Sequence, residues 1–207
     1  MNSFTRRLQL QGAAGAIEVL RDDPDAPTIG TAFIAHPHPL FGGTMDNKVV
    51  QTVARAFVQA GWTAVRFNFR GVGASAGVHD AGDGESDDMR GLVDQIAPAG
   101  PIALGGFSFG AFVASRVLEA LWPAREIRKV VLVGTAASRF PVSLIPQDAH
   151  DRTLVVHGEQ DDTVPLVAAM EWARPQVLPV TVVPGAGHFF HGQLPLLKSL
   201  VARHLRS

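Results

Sequence analysis

Short apolar runs and amphipathic stretches alternate along most of the chain. Apolar runs of about four to eight residues predict buried strands, whereas apolar residues spaced three and four apart predict helices. The predicted strands are Thr28–Ala35, Trp62–Phe69, Ile102–Gly106, Lys129–Gly134, Thr153–His157 and Val177–Val183. The predicted helices are Asp46–Ala60, Ser86–Ala97, Phe109–Leu121, Leu166–Ala173 and Gln193–Leu205.

This order predicts an α/β fold with a mostly parallel central sheet, because parallel strands need crossover connections. The strands are rich in Val, Ile and Leu, as expected for a sheet that helices cover on both faces. At the N-terminus, Thr5–Leu10 and Ile17–Leu20, joined by a turn around Gly12–Gly15, predict an antiparallel hairpin at one edge. The length of 207 residues and the lack of a linker predict a single domain over residues 1–207.

Composition narrows the classes of function. Hydrophobic residues make up 46% of the chain and charged residues 18%, which is enough for a packed core. The net charge is -1 and no basic cluster occurs, so neither a nucleic-acid nor a membrane partner is expected. The lack of cysteine excludes disulfides, thiolate metal sites and a cysteine nucleophile. Because no apolar stretch follows Arg6 and Arg7 as a secretory signal requires, we expect a cytoplasmic protein.

The strongest chemical signal is the segment Gly106-Phe-Ser-Phe-Gly110. It lies between a predicted strand and a predicted helix, which is the setting of a nucleophile elbow. There a sharp turn exposes the serine hydroxyl above the sheet, and the helix N-terminus supplies unpaired N–H groups. Ser108 is therefore a candidate nucleophile. The alternative is a tight turn whose serine only caps the helix.

A serine nucleophile needs a base, and the base needs an acid that orients it. Asp161 and Asp162 compete for the acid in the loop after the Thr153–His157 strand, with Glu159 as a weaker third choice. His188 is the candidate base because it follows the last strand directly in a glycine-rich loop. Both loops are expected at the carboxyl edge of the sheet, on the side of Ser108.

An oxyanion hole requires two N–H groups directed at one point. Phe109, the residue after the nucleophile, is expected to supply one of them. The other is expected from the loop that begins at His36-Pro-His38-Pro, where the two prolines have no N–H. Leu40 is the first choice and Phe41 the next. His36 and His38 are expected to fix this loop, since no third ligand at a recognisable spacing suggests a metal site.

Several segments together resemble a known family. They are His36-Pro-His-Pro-Leu-Phe-Gly-Gly-Thr-Met-Asp-Asn47, Asn68-Phe-Arg-Gly-Val-Gly-Ala-Ser75, the Ser108 elbow, His157-Gly-Glu-Gln-Asp161 and Gly187-His188. From about residue 15 onward, the chain is similar to compact bacterial α/β-hydrolases related to dienelactone hydrolases and small carboxylesterases. The resemblance implies a triad of Ser108, Asp161 and His188 that needs no cofactor or metal. It also implies a lidless site, because the connection Thr135–Arg152 is too short for a cap domain.

We therefore expect a serine hydrolase for small or short-chain carboxylic esters or thioesters, acting as a monomer or homodimer. The expected substrate contacts are Phe41, Phe107 and Phe189, with Phe109, Phe140 and Phe190 as further phenylalanines near the site. An amidase or peptidase, an acyltransferase and a non-catalytic small-molecule binding protein remain alternatives, since the scaffold does not specify the reaction. A dinucleotide-binding fold is disfavoured because its glycine-rich turn after the first strand is missing.

Overall fold

The computed structural model describes residues 5–206, which build one eight-stranded sheet. The strands are β1 Thr5–Gly12, β2 Gly15–Asp22, β3 Thr31–Ala35, β4 Thr63–Phe67, β5 Ile102–Phe107, β6 Ile127–Val133, β7 Thr153–Gly158 and β8 Val180–Val183. Their order across the sheet is β1-β2-β4-β3-β5-β6-β7-β8. β2 runs antiparallel to β1 and to β4, and all other neighbouring pairs are parallel. The predicted mostly parallel sheet with an antiparallel edge hairpin is confirmed.

Helices cover both faces of the sheet, as the apolar strands predict. The helices are α1 Lys48–Gln59, α2 Asp83–Ile96, α3 Phe109–Leu121, α4 Leu166–Ala173 and α5 Leu194–Arg206. The buried residues of α1 and α5 belong to one apolar cluster, and those of α2 and α3 to another. Neighbouring residues of a strand face opposite clusters, as with Leu132 and Val133 of β6. The sheet therefore separates two cores.

Most differences from the predicted elements lie at their ends, where local turns and hydrogen bonds determine the first residue of a strand or helix. β3 begins at Thr31 rather than Thr28, because the Thr28 hydroxyl donates to the carbonyl of Gly30 in a turn. β8 begins at Val180 rather than Val177, which has a left-handed φ of 54° after α4. α2 begins three residues earlier than predicted.

The connection between β6 and β7 has no room for a cap domain. Apart from turns, its regular structure is a 3-10 segment at Gln147–Arg152. The predicted lidless architecture follows from this short connection. Across residues 5–206, none of the helices combines the length and apolar character that crossing a membrane requires.

Candidate active site

Ser108 lies at the point where β5 ends and α3 begins, with φ 56° and ψ -114°. A positive φ is unfavourable for any residue with a Cβ, and such strain is typical of functional sites. The flanking glycines make the turn sterically possible. A Cβ on Gly106 would lie 2.1 Å from the carbonyl oxygen of Gly110, and one on Gly110 would lie 2.3 Å from that of Ala35. The two glycines therefore let the strand, the turn and β3 approach closely.

The start of α3 leaves backbone donors beside Ser108. Within residues 5–206, the N–H of Phe109 makes no hydrogen bond. The positive end of the helix dipole lies at the same place. This part of the elbow thus fits an anionic oxygen next to the serine.

Asp161 follows β7 and is held from three directions. Its Oδ1 accepts the N–H groups of Thr163 at 3.0 Å and Val164 at 2.7 Å, and Nδ1 of His188 donates to its Oδ2 at 2.7 Å. Burial alone would raise the pKa of Asp161, but the hydrogen bonds from His188 and Val164 outweigh it, and the net pKa is lowered. Asp161 is therefore a carboxylate at neutral pH.

The competing candidates lie outside this arrangement. Asp162 is exposed and accepts the hydroxyl of Thr163, at 3.3 Å. Glu159 is exposed and accepts the N–H of Gly185. Close to His188 in the sequence, His191 is a further histidine of this loop and is exposed beside the ring of Phe189. Of the three acids weighed from the sequence, Asp161 is the one that receives a hydrogen bond from His188.

His157 is a buried neighbour of this pair. Its Nε2 donates to the carbonyl of Val164 at 2.8 Å and lies 3.4 Å from Oδ2 of Asp161. Burial lowers its pKa, so the ring is neutral at neutral pH. Both features, the burial and the hydrogen bond, are typical of a histidine that ends a buried strand. Its contact with the Asp161 loop could not be predicted from spacing alone.

Ser108 and His188 line the same cavity, which has a volume of about 320 Å³. The Ser108 hydroxyl makes no hydrogen bond to any residue of the described range 5–206, and the catalytic contacts of free enzymes often tighten only when substrate binds. The other lining residues are Pro37, His38, Phe41, Gly42, Gly43, Asn47, Phe109, Ala136, Arg139, Phe140, Thr163, Val164 and Phe189. Within the described ranges, no group of three or more His, Asp or Glu side chains could hold a metal ion.

The phenylalanines near the site divide into two groups. Phe41, Phe109, Phe140 and Phe189 line the cavity, and Phe41 is 78% exposed at its rim. The expectation for Phe107 is wrong. Its side chain is buried in the cluster shared with α1 and α5, and its ring packs behind His188 at 4.8 Å between centroids. Phe190 is buried in the same cluster.

The loop after β3 also differs from expectation. The N–H of Leu40 donates to Nδ1 of His38 at 3.2 Å, so it is not available to a ligand in this conformation. The N–H of Phe41 donates to the carbonyl of His38. Leu40 is therefore the wrong choice for the second donor, because a turn uses its N–H. The backbone N–H of His38 itself has no partner within the part of the chain that the structure describes, and His38 lines the cavity.

His36 anchors this loop to its neighbour. Its Nδ1 donates to the carbonyl of Pro37 at 2.6 Å, and its Nε2 accepts the N–H of Phe69 at 3.0 Å. Both ring nitrogens are thus occupied, in agreement with the expected role in fixing the loop. Burial lowers the pKa of His36 to about 4, so the ring is neutral over the physiological range.

Comparison with known proteins shows the family of this chain. A family model described as serine aminopeptidase, S33, matches residues 40–150. The chain belongs to this family of α/β serine hydrolases. An uncharacterized protein of Rickettsia prowazekii (strain Madrid E) is 31% identical, over 89% of this chain and 82% of the relative.

Solved structures show the same α/β serine hydrolase fold. XC6422 from Xanthomonas campestris, described as an α/β serine hydrolase without lid, is 36% identical with a TM-score of 0.87, covering 100% of this chain and 95% of that one. An α/β serine hydrolase homologue from Coxiella burnetii is 35% identical with a TM-score of 0.84, covering 97% of each chain. The resemblance to lidless α/β-hydrolases inferred from the sequence is confirmed.

Proposed function

We propose that this serine hydrolase cleaves small or short-chain carboxylic esters or thioesters through an acyl-enzyme on Ser108. The observation that carries the proposal is the pair of His188 and Asp161. Nδ1 of His188 donates to the buried carboxylate at 2.7 Å, and the same imidazole lines the cavity of Ser108. Serine, base and orienting acid are the three groups that acyl transfer requires.

The hydrogen bond to Asp161 sets the tautomer of His188. Because Nδ1 carries the proton, Nε2 holds the lone pair that a general base needs. Nε2 takes the proton of Ser108 as Oγ bonds to the ester carbonyl carbon, and the carbonyl π electrons move to oxygen. Collapse of this intermediate breaks the bond to the leaving group, which takes the proton from His188. Water then gives a proton to His188 as its oxygen bonds to the acyl carbonyl carbon. Collapse of this second intermediate breaks the bond to Oγ, releases the acid and returns the proton to Ser108.

The negative oxygen of the intermediate needs two donors. The N–H of Phe109 is one, since it has no partner within residues 5–206 and adjoins Ser108. We assign the backbone N–H of His38 as the second in place of Leu40, because it has no partner in the same range and its residue lines the cavity. Each oxyanion donor typically lowers the activation barrier by about 3–4 kcal/mol.

The family match favours a second candidate, an aminopeptidase. Such an enzyme has to bind the free α-ammonium group of a peptide, and a charged amine entering a partly dry cavity needs an anionic partner. None of the residues that line the cavity in the described part of the chain is Asp or Glu, and Arg139 adds positive charge. The charge of the cavity therefore favours an ester over a peptide N-terminus.

Three further expectations from the sequence stay predictions. They are a cytoplasmic location, a monomeric or homodimeric state, and the lack of a nucleic-acid or membrane partner.

The test is labelling with a fluorophosphonate probe together with hydrolysis of 4-nitrophenyl butyrate. Ser108→Ala should lose both, because the probe reacts only with an activated serine. Ser199→Ala, at an exposed position of α5, is the matched control and should keep both. Labelling that survives in Ser108→Ala would rule out this nucleophile. Faster hydrolysis of an amino-acid 4-nitroanilide with a free amine than of its N-acetylated form would favour the aminopeptidase.

A further inference from the structure

Among residues 5–206, Arg139 is the one lysine or arginine that lines the cavity beside Ser108. It belongs to a tight turn after β6, in which the N–H groups of Arg139 and Phe140 both donate to the carbonyl of Ala136 at 3.1 Å. The ring of Phe140 stacks on Phe112 at 5.0 Å and packs against Phe109. The backbone that carries the guanidinium is therefore held in place by the aromatic wall of the site.

Arg139 has no carboxylate partner within residues 5–206, whereas other arginines near this edge are paired. Arg116 pairs with Asp83, and Arg70 pairs with Asp88. Glu85 is close enough to influence the pKa of His38, but it is fully buried. Its oxygens accept hydrogen bonds from His79 and from two backbone N–H groups. The positive charge of Arg139 is thus not neutralised at the cavity.

The other polar groups of the cavity wall are mainly donors. Oδ1 of Asn47 accepts the N–H groups of Val49 and Val50, which leaves its amide NH₂ to face other partners. Nδ1 of His38 accepts the N–H of Leu40, so the neutral ring carries its proton on Nε2. Burial lowers the pKa of His38, and nearby positive charge, including that of Arg139, lowers it further. Within residues 5–206, the cavity wall thus offers these donors and the Arg139 side chain to a ligand, and no acidic side chain lines it.

We propose that Arg139 determines specificity by pairing with a carboxylate of the substrate. The substrate class is an ester whose apolar or aromatic body separates the scissile bond from a carboxylate. Phe41, Phe109 and Phe140 would contact the body, and the planar guanidinium suits a carboxylate in a two-point hydrogen bond. This inference deepens the proposed ester hydrolysis and rests on it, since Ser108 must accept the acyl group.

The test uses esters in matched pairs that differ in one charge. In the first pair the acid is on the acyl side, 4-nitrophenyl hemiglutarate against 4-nitrophenyl valerate. In the second it is on the alcohol side, 4-acetoxybenzoate against its methyl ester. The measured quantity is the ratio of kcat/KM for the anionic ester to that for the neutral ester. The two pairs distinguish which side of the scissile bond faces Arg139.

For at least one pair, Arg139→Gln should lower this ratio at least fivefold, and Arg139→Glu should lower it further. The change should lie mainly in KM and should shrink with added salt, because the guanidinium is exposed. Arg203→Gln is the control. Arg203 is exposed near the end of α5. The carbonyl of its neighbour His204 accepts a hydrogen bond from Lys129, near the start of β6. This end of α5 therefore lies at the amino edge of the sheet, whereas the cavity lies at the carboxyl edge. A ratio that Arg139→Gln leaves unchanged in both pairs, or that Arg203→Gln lowers equally, overturns the proposal.

Binding without turnover separates this proposal from the proposed function. In the Ser108→Ala background, calorimetry with both anionic esters, 4-nitrophenyl hemiglutarate and 4-acetoxybenzoate, should show at least one of them binding at least fivefold more weakly when Arg139→Gln is added. That result would support the carboxylate site even if the wild-type protein hydrolysed no ester, in which case ester hydrolysis alone would be wrong. Equal binding of both anionic esters by the two proteins, together with hydrolysis of neutral esters by the wild type, would leave the hydrolase intact and remove the role of Arg139.

Discussion

Asp161 and His188, 27 residues apart in sequence, meet in a hydrogen bond of 2.7 Å at the carboxyl edge of the sheet. Both side chains are almost fully buried, so the carboxylate acts on the imidazole with little screening by water. Two backbone N–H groups hold the other carboxylate oxygen. The carboxylate is therefore fixed in position before substrate arrives.

Asp161→Asn should lower kcat for 4-nitrophenyl butyrate by about 10³- to 10⁴-fold. The amide oxygen can still accept from Thr163 and Val164, but the NH₂ group cannot accept from Nδ1 of His188, so the wrong tautomer is favoured. Asp162→Asn, at the exposed neighbouring position, should change kcat less than about twofold. Equal losses in the two variants would contradict the assignment of the acid.

The second oxyanion donor can be tested with two substitutions at one residue. His38 has φ -53°, which lies in the range of proline, so His38→Pro removes the N–H and keeps this φ. His38→Ala removes the same imidazole but keeps the N–H. We expect kcat of the proline variant to be about 10²- to 10³-fold below that of the alanine variant. Similar rates in both would show that another group supplies the second donor.

Gly110→Ala should destabilise the fold, because its Cβ would lie 2.3 Å from the carbonyl oxygen of Ala35. Overpacking of this kind costs about 1–3 kcal/mol even where neighbours can move, and backbone atoms of β3 have little freedom to move. Gly91→Ala is the matched control, since Gly91 lies inside α2 with its nearest contact at 3.9 Å. It should raise the free energy of unfolding by about 0.4–1 kcal/mol. Urea unfolding of the two variants should thus give changes of opposite sign.

Stability should fall on acidification because of His36. Its folded pKa is about 4 against an ordinary value of 6.5. Between these values the unfolded chain binds the proton and the folded chain does not, so lowering the pH favours unfolding. The contribution is complete above about pH 6.5 and is lost as the pH falls toward about 4, with roughly 2 kcal/mol gone by about pH 5.

Urea titrations at several pH values would measure this loss. In His36→Asn the residue cannot titrate, so the free energy of unfolding should depend less on pH over the same range. An unchanged pH dependence in that variant would assign the effect to other groups.

Local patterns predicted much of the fold. The bounds of α3 and α4 agree with the predicted Phe109–Leu121 and Leu166–Ala173, because apolar spacing, Pro165 and the Ser108 elbow define these helices within a few residues of sequence. The alternation of strands and helices predicted the parallel sheet, since crossover geometry leaves few other arrangements. The sequence also indicated the order of nucleophile, acid and base along the chain.

Tertiary structure decided which of several residues close together in the sequence takes part in the site. Asp161 and Asp162 competed for the acid in the sequence, where the family resemblance favoured Asp161, and in the structure Asp161 is the one that contacts His188. Spacing suggested Leu40 as a donor, and a hydrogen bond to His38 occupies its N–H. Phe107 faces the core and Arg139 lines the cavity because strand register and loop turns set the direction of each side chain. Residue identity and local pattern thus determined the fold and the kind of chemistry, whereas long-range register and hydrogen bonds decided which atoms face the substrate.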